Sequence, residues 1–490
     1  MRKSLAFAVL LSAGLLAGCL GGNDDSDGSV LGQYTGDRAL FAGPALWVAP
    51  QDTPHPKWNW PTLANPPAGD DVPTYWKPIA MKALPTHIGG LEHVATVGED
   101  QGVLAGAGIA VFGSLAVVPS DGWNGAEGGV VVDISDPTNP KALGTMATVG
   151  RGATIIAYPD GRLVSAISTS PGFDVVDITD PMTPVVVGNA TPTEGGHKIG
   201  VVPGTPIVYN AGSSGGEFAT PLSYLAPGPC NVSADQCTGY TSIYNLTDPT
   251  NPVLVQEFQN GLACHHIFFY NAPDGSKQRA ICAGIQYTQL WDTTDPEHPS
   301  VIVNIPVHYG YANGPSGALS LAAFSHTAGM NIDGTILYVG DENMGGALPP
   351  GCGAGSMTPA GEAGTPIGAT WFYDITTETE PRLLGYFAPP RDLQHRVERP
   401  GQPANAGSCT THHGRIVPDP EGRDLLAMSY YNDGVILLDF TPQGPETVSI
   451  VEPKIIGEFQ EGSDTWETWY YGGYLFVGDL ERGLDILTFS

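Results

Sequence analysis

The chain has 490 residues, of which 50 are acidic and 20 are basic, so its formal net charge is −30 at pH 7. This excess of acid argues against nucleic acid or an anionic membrane surface as a partner and favours cationic ligands and metal ions, although most of the charge is expected to be solvated surface. The 65 glycines and 44 prolines, together with short β-branched runs, predict an all-β protein with many turns.

The first residues have the pattern of a secretion signal. Two basic residues precede an apolar segment, residues 5–16, that is too short to span a membrane. The sequence LAGC follows and ends at Cys19, and it resembles the lipobox of bacterial lipoproteins, in which the cysteine becomes the lipidated first residue. We therefore predict a signal peptide at residues 1–18, then the lipidated Cys19 and a flexible acidic tether over residues 19–32. An ordinary signal peptide with an unrelated cysteine is the alternative.

This signal predicts a cell-envelope protein that contacts the membrane through its N-terminal lipid. The residue after the cysteine is Leu20 and not aspartate. By the sorting rule of Gram-negative lipoproteins, this resemblance implies the outer membrane if the host is Gram-negative. The expected partners are then another envelope protein or a small ligand.

Residues 33–75 are rich in Pro, Trp and Asp, and we predict an irregular extension that packs on the main domain. A small separate domain is the alternative, but the segment lacks a periodic core. The main domain is predicted to occupy residues 76–490.

A ten-residue phrase organises this main domain. VVDISDPTNP at residues 131–140 returns in similar form at residues 175–184, 243–252 and 290–299, with degraded copies at 372–376 and 437–441. Asp tends to hydrogen-bond the backbone of a turn, and Pro cannot continue a β-ladder. Each copy is therefore predicted to end the third strand of a repeat and to turn the chain into an outer strand.

The repeat spacing predicts a seven-bladed β-propeller of four-stranded antiparallel blades. The predicted blade starts lie near Glu92, Gly152, Gly196, Cys264, Ser325, Thr411 and Thr465. The last blade has only three evident strands, and the segment Trp76–Leu84 is predicted to supply the fourth and so to close the ring.

The phrase and this layout resemble the LVIVD-repeat proteins, a family of exported bacterial and archaeal β-propellers. The resemblance covers residues 77–490, and His412-His413-Gly414 and Arg482-Gly483-Leu484-Asp485 are especially similar to the family. It implies the fold but little chemistry.

Without Cys19, six cysteines remain, and an even number in an exported protein suggests disulfides. Cys264 and Cys282 flank a turn, so an antiparallel hairpin would bring them together. The other candidate pairs are Cys230 with Cys237 and Cys352 with Cys409. Metal ligation by Cys264 or Cys409 is the alternative, since both lie near histidines.

Histidine recurs at one position of the repeat. The predicted first strands place five of the twelve histidines in register, namely His93, His197, His265, His326 and His412. First strands line the channel of a propeller, so equivalent positions converge around its axis. Neutral imidazoles there would bind a transition metal, with copper or zinc as the candidates. Polar lining by copied repeats is the alternative.

Other polar residues near these histidines have different predicted roles. His266 and His413 should face the opposite side of their strands and pack between blades. Asp341, Glu342 and Asp479 could orient imidazoles, but a role in turns or the channel wall is favoured. Arg151 is a candidate anion ligand or a surface arginine.

Two functions remain open at this point. The first is a non-catalytic, lipid-anchored binding platform that contains a metal or ligand site. The second is a metalloenzyme, because exported propellers with histidine-bound copper, the methanethiol oxidase (selenium-binding protein) family, are loosely similar in their histidine-bearing blades. No phosphate-binding loop or G-x-S-x-G elbow is present.

Overall fold

The computed structural model describes residues 53–63, 74–103, 106–120, 128–192, 195–212, 240–260, 264–272, 274–284, 287–306, 311–313, 319–321, 324–342, 368–389, 410–444, 450–461 and 464–490. Cys19, Cys230, Cys237, Cys352 and Cys409 lie outside these ranges, as do the predicted signal and tether. No helix within the described ranges is long and apolar enough to cross a membrane.

Seven four-stranded antiparallel sheets form the blades of a propeller, which confirms the predicted fold. The inner strands of blades 1 to 7 are Ala110–Phe112, Gly152–Ala157, Lys198–Val201, His266–Asn271, Phe324–Met330, Gly414–Val417 and Thr465–Tyr471. The second strands are Leu115–Val118, Leu163–Thr169, Ile207–Ala211, Gln278–Gly284, Ile336–Glu342, Leu425–Ser429 and Tyr474–Asp479. The third strands are Val130–Asp133, Gly172–Asp177, Thr241–Asn245, Tyr287–Asp292, Thr370–Asp374, Val435–Asp439 and Gly483–Phe489. The outer strands are Lys141–Thr145, Val185–Ala190, Val253–Phe258, Ser300–Pro306, Arg382–Phe387, Lys454–Phe459 and Leu91–Val97.

The ring is closed by a strand from the N-terminal side, as predicted, but by a different one. Leu91–Val97 pairs antiparallel with Gly483–Phe489 and completes blade 7, while the segment Trp76–Leu84 forms no strand. The predicted start of blade 1 near Glu92 is therefore wrong, and blade 1 begins at Ala110. The partly exposed pattern of Leu91–Val97 is similar to that of the outer strand Val185–Ala190, since one face of an outer strand meets solvent.

The Asp-Pro phrase forms the turn that was predicted for it. In blade 1 the carboxylate of Asp133 accepts the backbone N–H of Ser135 at 2.8 Å, and that of Asp136 accepts the N–H of Thr138 at 3.0 Å. Equivalent bonds recur at Asp177 and other copies. The turn thus satisfies its own backbone after the third strand ends.

The same turn also contacts the preceding blade, which the repeat pattern alone did not predict. Glycine occupies the fourth position of four outer strands, at Gly144, Gly188, Gly385 and Gly457. A Cβ atom at Gly188 would lie 2.3 Å from the carbonyl oxygen of Pro249, in the turn of the next blade. These glycines therefore permit a close approach of backbone between blades.

We expect Gly385→Ala to destabilise the propeller by about 1–3 kcal/mol, because the added Cβ would lie 2.1 Å from the carbonyl oxygen of Val451. Gln256→Ala is the matched control, since Gln256 holds the fourth position of the blade 3 outer strand and already carries a Cβ. The free energy of unfolding in denaturant measures both effects. Equal stability of the two variants would show that the close approach does not constrain the ring.

Apolar clusters fill the spaces between neighbouring blades. One cluster joins Phe268, Ile281 and Leu290 of blade 4 to Ala328 and Leu337 of blade 5, and similar clusters lie at the other interfaces. These contacts, with the pairing of Leu91–Val97 and Gly483–Phe489 in blade 7, hold the inner strands around a common axis.

A strap formed by residues 53–63 and 74–82 runs along the end of the ring at which the inner strands finish. Thr53 donates to the Asn271 carbonyl at 2.9 Å, the Trp60 ring packs edge-on against Tyr158 at 5.3 Å, and Trp76 donates to the Gly161 carbonyl at 3.1 Å. The described parts of the predicted extension thus pack on the propeller. At the opposite end of the ring, Cys264 and Cys282 form a disulfide within blade 4, as the hairpin prediction required.

Candidate functional site

Four of the predicted ring histidines meet at the end of the axis where the inner strands begin. His197, His265, His326 and His412 come from blades 3 to 6, and each is at most 5% exposed. Neighbouring ring centroids lie 4.0 Å apart between His197 and His265, 4.5 Å between His265 and His326, and 4.2 Å between His326 and His412. The repeat frame therefore brings these four side chains together.

His93 does not belong to this group, and its prediction as a channel ligand is wrong. It lies on the outer strand of blade 7, where Nε2 is 3.2 Å from the carboxylate of Asp485 and the ring stacks on Phe459 at 5.5 Å. The sequence of its strand does not distinguish it from an inner strand, because inner and outer strands are both short and partly apolar.

His266 and His413 were expected to pack between blades, but they join the cluster. The His413 ring lies 4.2 Å from that of His412, 4.7 Å from that of His326 and 4.4 Å from that of His266. The strands of blades 4 and 6 begin only at His266 and Gly414, so the alternation of side chains does not govern these pairs. We call these six residues, His197, His265, His266, His326, His412 and His413, the axial histidine cluster.

Two overlapping sets of donor atoms could hold a metal ion. One consists of His326, His412 and His413, and the other of His265, His326 and Glu342; within each set the donor atoms lie within 4.8 Å of one another. Nε2 of His326 is 3.3 Å from Glu342 Oε2. His326 is thus common to both sets.

Hydrogen bonds fix the orientation of several rings. The Nδ1 atom of His412 is bonded to the carbonyl of Trp466, so it carries the proton and leaves Nε2 as a lone-pair donor. Nδ1 of His413 lies 3.2 Å from the hydroxyl of Thr327, and its Nε2 has no hydrogen-bond partner among the described residues. Nε2 of His197 is 2.9 Å from Nε2 of His265. The two Nδ1 contacts, of His412 and His413, are of the kind that orient metal-binding histidines through the nitrogen away from the metal.

The protonation of the imidazoles also suits metal binding. Burial lowers the pKa of all six imidazoles, and that of His265 falls to about 3, so the neutral ligand form is present at neutral pH. Burial raises the pKa of Glu342 to about 8, an effect that a bound cation would oppose. The hydroxyl of Tyr431 donates to this carboxylate.

The other acidic residues have different roles. Asp341 is buried, accepts a bond from Trp371 Nε1 at 2.5 Å, and has its pKa raised by burial to about 8. The Asp479 carboxylate accepts backbone N–H groups of Asp464 and Glu481 at 2.8 Å, which agrees with the turn role that was favoured for it. Glu342 belongs to one of the donor sets, and its Oε2 lies 3.3 Å from Nε2 of His326.

Arg151 lies at the start of the inner strand of blade 2. Its carbonyl oxygen accepts a bond from Lys198 Nζ at 3.1 Å. Its positive charge further lowers the pKa of His197, after burial and His265.

A charged triad that was not predicted lies beside the cluster. Lys198 of blade 3 and Arg415 of blade 6 bind opposite oxygens of Glu467 of blade 7 at 3.0 and 3.1 Å. Lys198, His266, Thr327 and His413 each follow a ring position directly. A polar residue at this repeated position is the sequence signal from which Lys198, His266 and His413 could have been predicted as part of the site.

The model of the LVIVD repeat matches residues 108–148 and 462–490. No curated protein sequence matches the chain. Among solved structures, a β-propeller domain of Cps50 (Swd1) from Myceliophteria thermophila is 8% identical, with a TM-score of 0.42, over 84% of this chain and 99% of the other. The periplasmic gluconolactonase of Pseudomonas aeruginosa is 10% identical, with a TM-score of 0.44, over 73% and 87% of the two chains. The chain is thus a β-propeller that carries LVIVD repeats.

Proposed function

We propose that this protein is an exported, lipid-anchored binding platform of the cell envelope whose axial histidine cluster holds a transition metal. The observation that carries the metal assignment is the pair of overlapping donor sets that share His326. The repeat alone accounts for the convergence of His265, His326 and His412, but not for the donor atoms of Glu342 and His413, which lie outside the ring position.

The donor spacing supports this assignment. Bonds of about 2.0–2.1 Å from zinc to histidine nitrogen place two tetrahedral ligands about 3.3 Å apart. The 3.3 Å between His326 Nε2 and Glu342 Oε2 is of this size, and the 4.8 Å limit within each set leaves only small side-chain movements to make. Imidazole ligands suit copper and zinc, and also iron and nickel.

The test of this proposal is the metal content of the full protein after purification without chelators and after loading with Cu²⁺ or Zn²⁺. We expect at least one tightly held equivalent per chain and a higher melting temperature in the loaded form, because a ligand that binds only the folded state stabilises it. A protein that takes up no metal and keeps an unchanged melting temperature would refute the metal site.

The lipid anchor rests on the lipobox and is tested separately. We expect the wild-type chain to fractionate with membranes and to incorporate labelled palmitate, whereas Cys19→Ala should lose both, because the thiol is the predicted acceptor. Ser29→Ala, in the predicted tether, is the control that changes a nearby small polar residue and keeps Cys19. Equal membrane attachment of wild type and Cys19→Ala would contradict the lipid anchor.

A copper-type oxidoreductase is the second candidate, and one observation favours it. The set of His265, His326 and Glu342 offers two imidazoles and one carboxylate and leaves positions open for an external ligand, an arrangement that is typical of oxidising iron(II) sites and whose imidazoles also suit copper. Consumption of oxygen by the metal-loaded protein with a small thiol such as methanethiol would support catalysis. Stoichiometric metal without any such turnover would favour the binding platform.

A further inference from the structure

The axial channel contains a cavity next to the histidine cluster. Its volume is about 110 Å³, and its walls come from the inner strands of blades 1, 2, 3, 4, 6 and 7. Part of the wall is aromatic, with Phe268, Phe269 and Trp469, and part is the charged triad of Lys198, Arg415 and Glu467. We call this space the channel cavity. Aromatic rings and fixed charges of the wall therefore face the same small volume.

The charges of this wall do not balance. Lys198 and Arg415 are two cations, and Glu467 is the carboxylate that binds both, at 3.0 and 3.1 Å. Their side chains are only 4–7% exposed. Buried charges are normally compensated, because an unpaired ion loses its hydration.

One donor of the triad has no acceptor. Arg415 NH1 donates to the Gly414 carbonyl at 3.0 Å and NH2 donates to Glu467 at 3.1 Å, but the buried Nε has no partner among the described residues. The guanidinium group is held over the ring of Trp469 at 4.3 Å and near that of Phe268 at 5.6 Å. Its plane is thus fixed and a hydrogen-bond donor remains for an exogenous acceptor.

We propose that the channel cavity binds a small carboxylate with a short apolar tail. The carboxylate would accept from Arg415 and Lys198 and bring the buried charge to balance, while the tail would contact Phe268 and Trp469. The volume limits the size, since a cavity of about 150 Å³ holds the six heavy atoms of benzene and about 110 Å³ therefore holds at most about six. Butyrate, a carboxylate with a three-carbon tail, lies at this upper limit.

A carboxylate fits this site better than inorganic phosphate. Phosphate carries more charge at neutral pH and would lie beside the Glu467 carboxylate, and it has no apolar part for the aromatic wall. The assignment does not depend on the proposed metal. His266 lines the cavity and its ring lies 4.4 Å from that of His413, so the two sites are neighbours without sharing a proposed donor set.

The experiment is a calorimetric titration of the full protein with butyrate, 1-butanol and phosphate, in chelator-treated and metal-loaded forms. We expect butyrate to bind in both forms and the other two probes to bind much more weakly. Equal binding of butanol would overturn the carboxylate contact, and preferential binding of phosphate would overturn the apolar one. Binding of butyrate only after metal loading would place it on the metal and also overturn this site, whereas binding without any metal uptake would refute the metal proposal alone.

Variants identify the contact. Arg415→Gln should weaken butyrate binding about tenfold or more, because a charge-assisted bond is lost. Arg423→Gln is the matched control, since Arg423 pairs with Asp419 away from the cavity. If Arg415→Gln fails to fold, Ala153→Met fills the cavity without changing its charge and should abolish binding. Undiminished binding in either folded variant would overturn the proposal.

Discussion

A protein in which His265 and His326 are both replaced by alanine is expected to lose nearly all of its bound transition metal. His326 belongs to both donor sets and His265 to one of them, so each set keeps at most two ligands. Changes outside the ligand sphere already cost about 10- to 100-fold in metal affinity. We therefore expect a loss of at least about 100-fold for two direct ligands, measured by metal content and by competition with a chelator.

The control for this variant is His87→Ala, because His87 is exposed and its ring pairs with Glu421 at 2.6 Å, far from the axis. It removes an imidazole from the chain and leaves the cluster intact. Circular dichroism of both proteins checks that folding is retained. If the double variant keeps the full metal stoichiometry, the axial histidine cluster is not the site, and the metal must be held elsewhere in the chain.

The sequence predicts the propeller well because each copy of the repeat specifies the same strand and the same turn. The Asp-Pro phrase and its degraded copies mark the end of the third strand in blades 1 to 6 through local hydrogen bonds, so their spacing measures these blades directly. The error at blade 1 has a physical cause. Leu91–Val97 resembles any short strand, and only its pairing with Gly483–Phe489, almost 400 residues away, makes it an outer strand.

The site was predictable only where the repeat determines it. His197, His265, His326 and His412 follow from the frame, since equivalent positions converge on the axis. His413 does not, because it precedes a strand and strand alternation fails there. The charged triad joins residues of three blades, and no local pattern indicates that Lys198 would meet Glu467 across the channel.

The second large effect is expected at Glu467, which is 4% exposed and binds Lys198 and Arg415. Glu467→Gln keeps the size of the side chain and one hydrogen-bond acceptor but removes the charge. Two buried cations would then face each other without a carboxylate, and breaking a buried ion pair on one side costs about 3–5 kcal/mol. We expect a loss of this size in the free energy of unfolding. Glu257→Gln, on the exposed outer strand of blade 3, should change it by less than about 0.5 kcal/mol.

A second substitution tests whether the lost stability comes from unbalanced buried charge or from lost hydrogen bonds. Adding Lys198→Met to Glu467→Gln removes one of the two cations, so part of the lost stability should return although a further hydrogen bond has been deleted. Recovery in the double variant is expected only if the buried charge imbalance causes the loss. If Lys198→Met instead lowers the free energy of unfolding further, the triad stabilises the ring through its hydrogen bonds between blades. The excess positive charge would then no longer argue for an anion in the channel cavity.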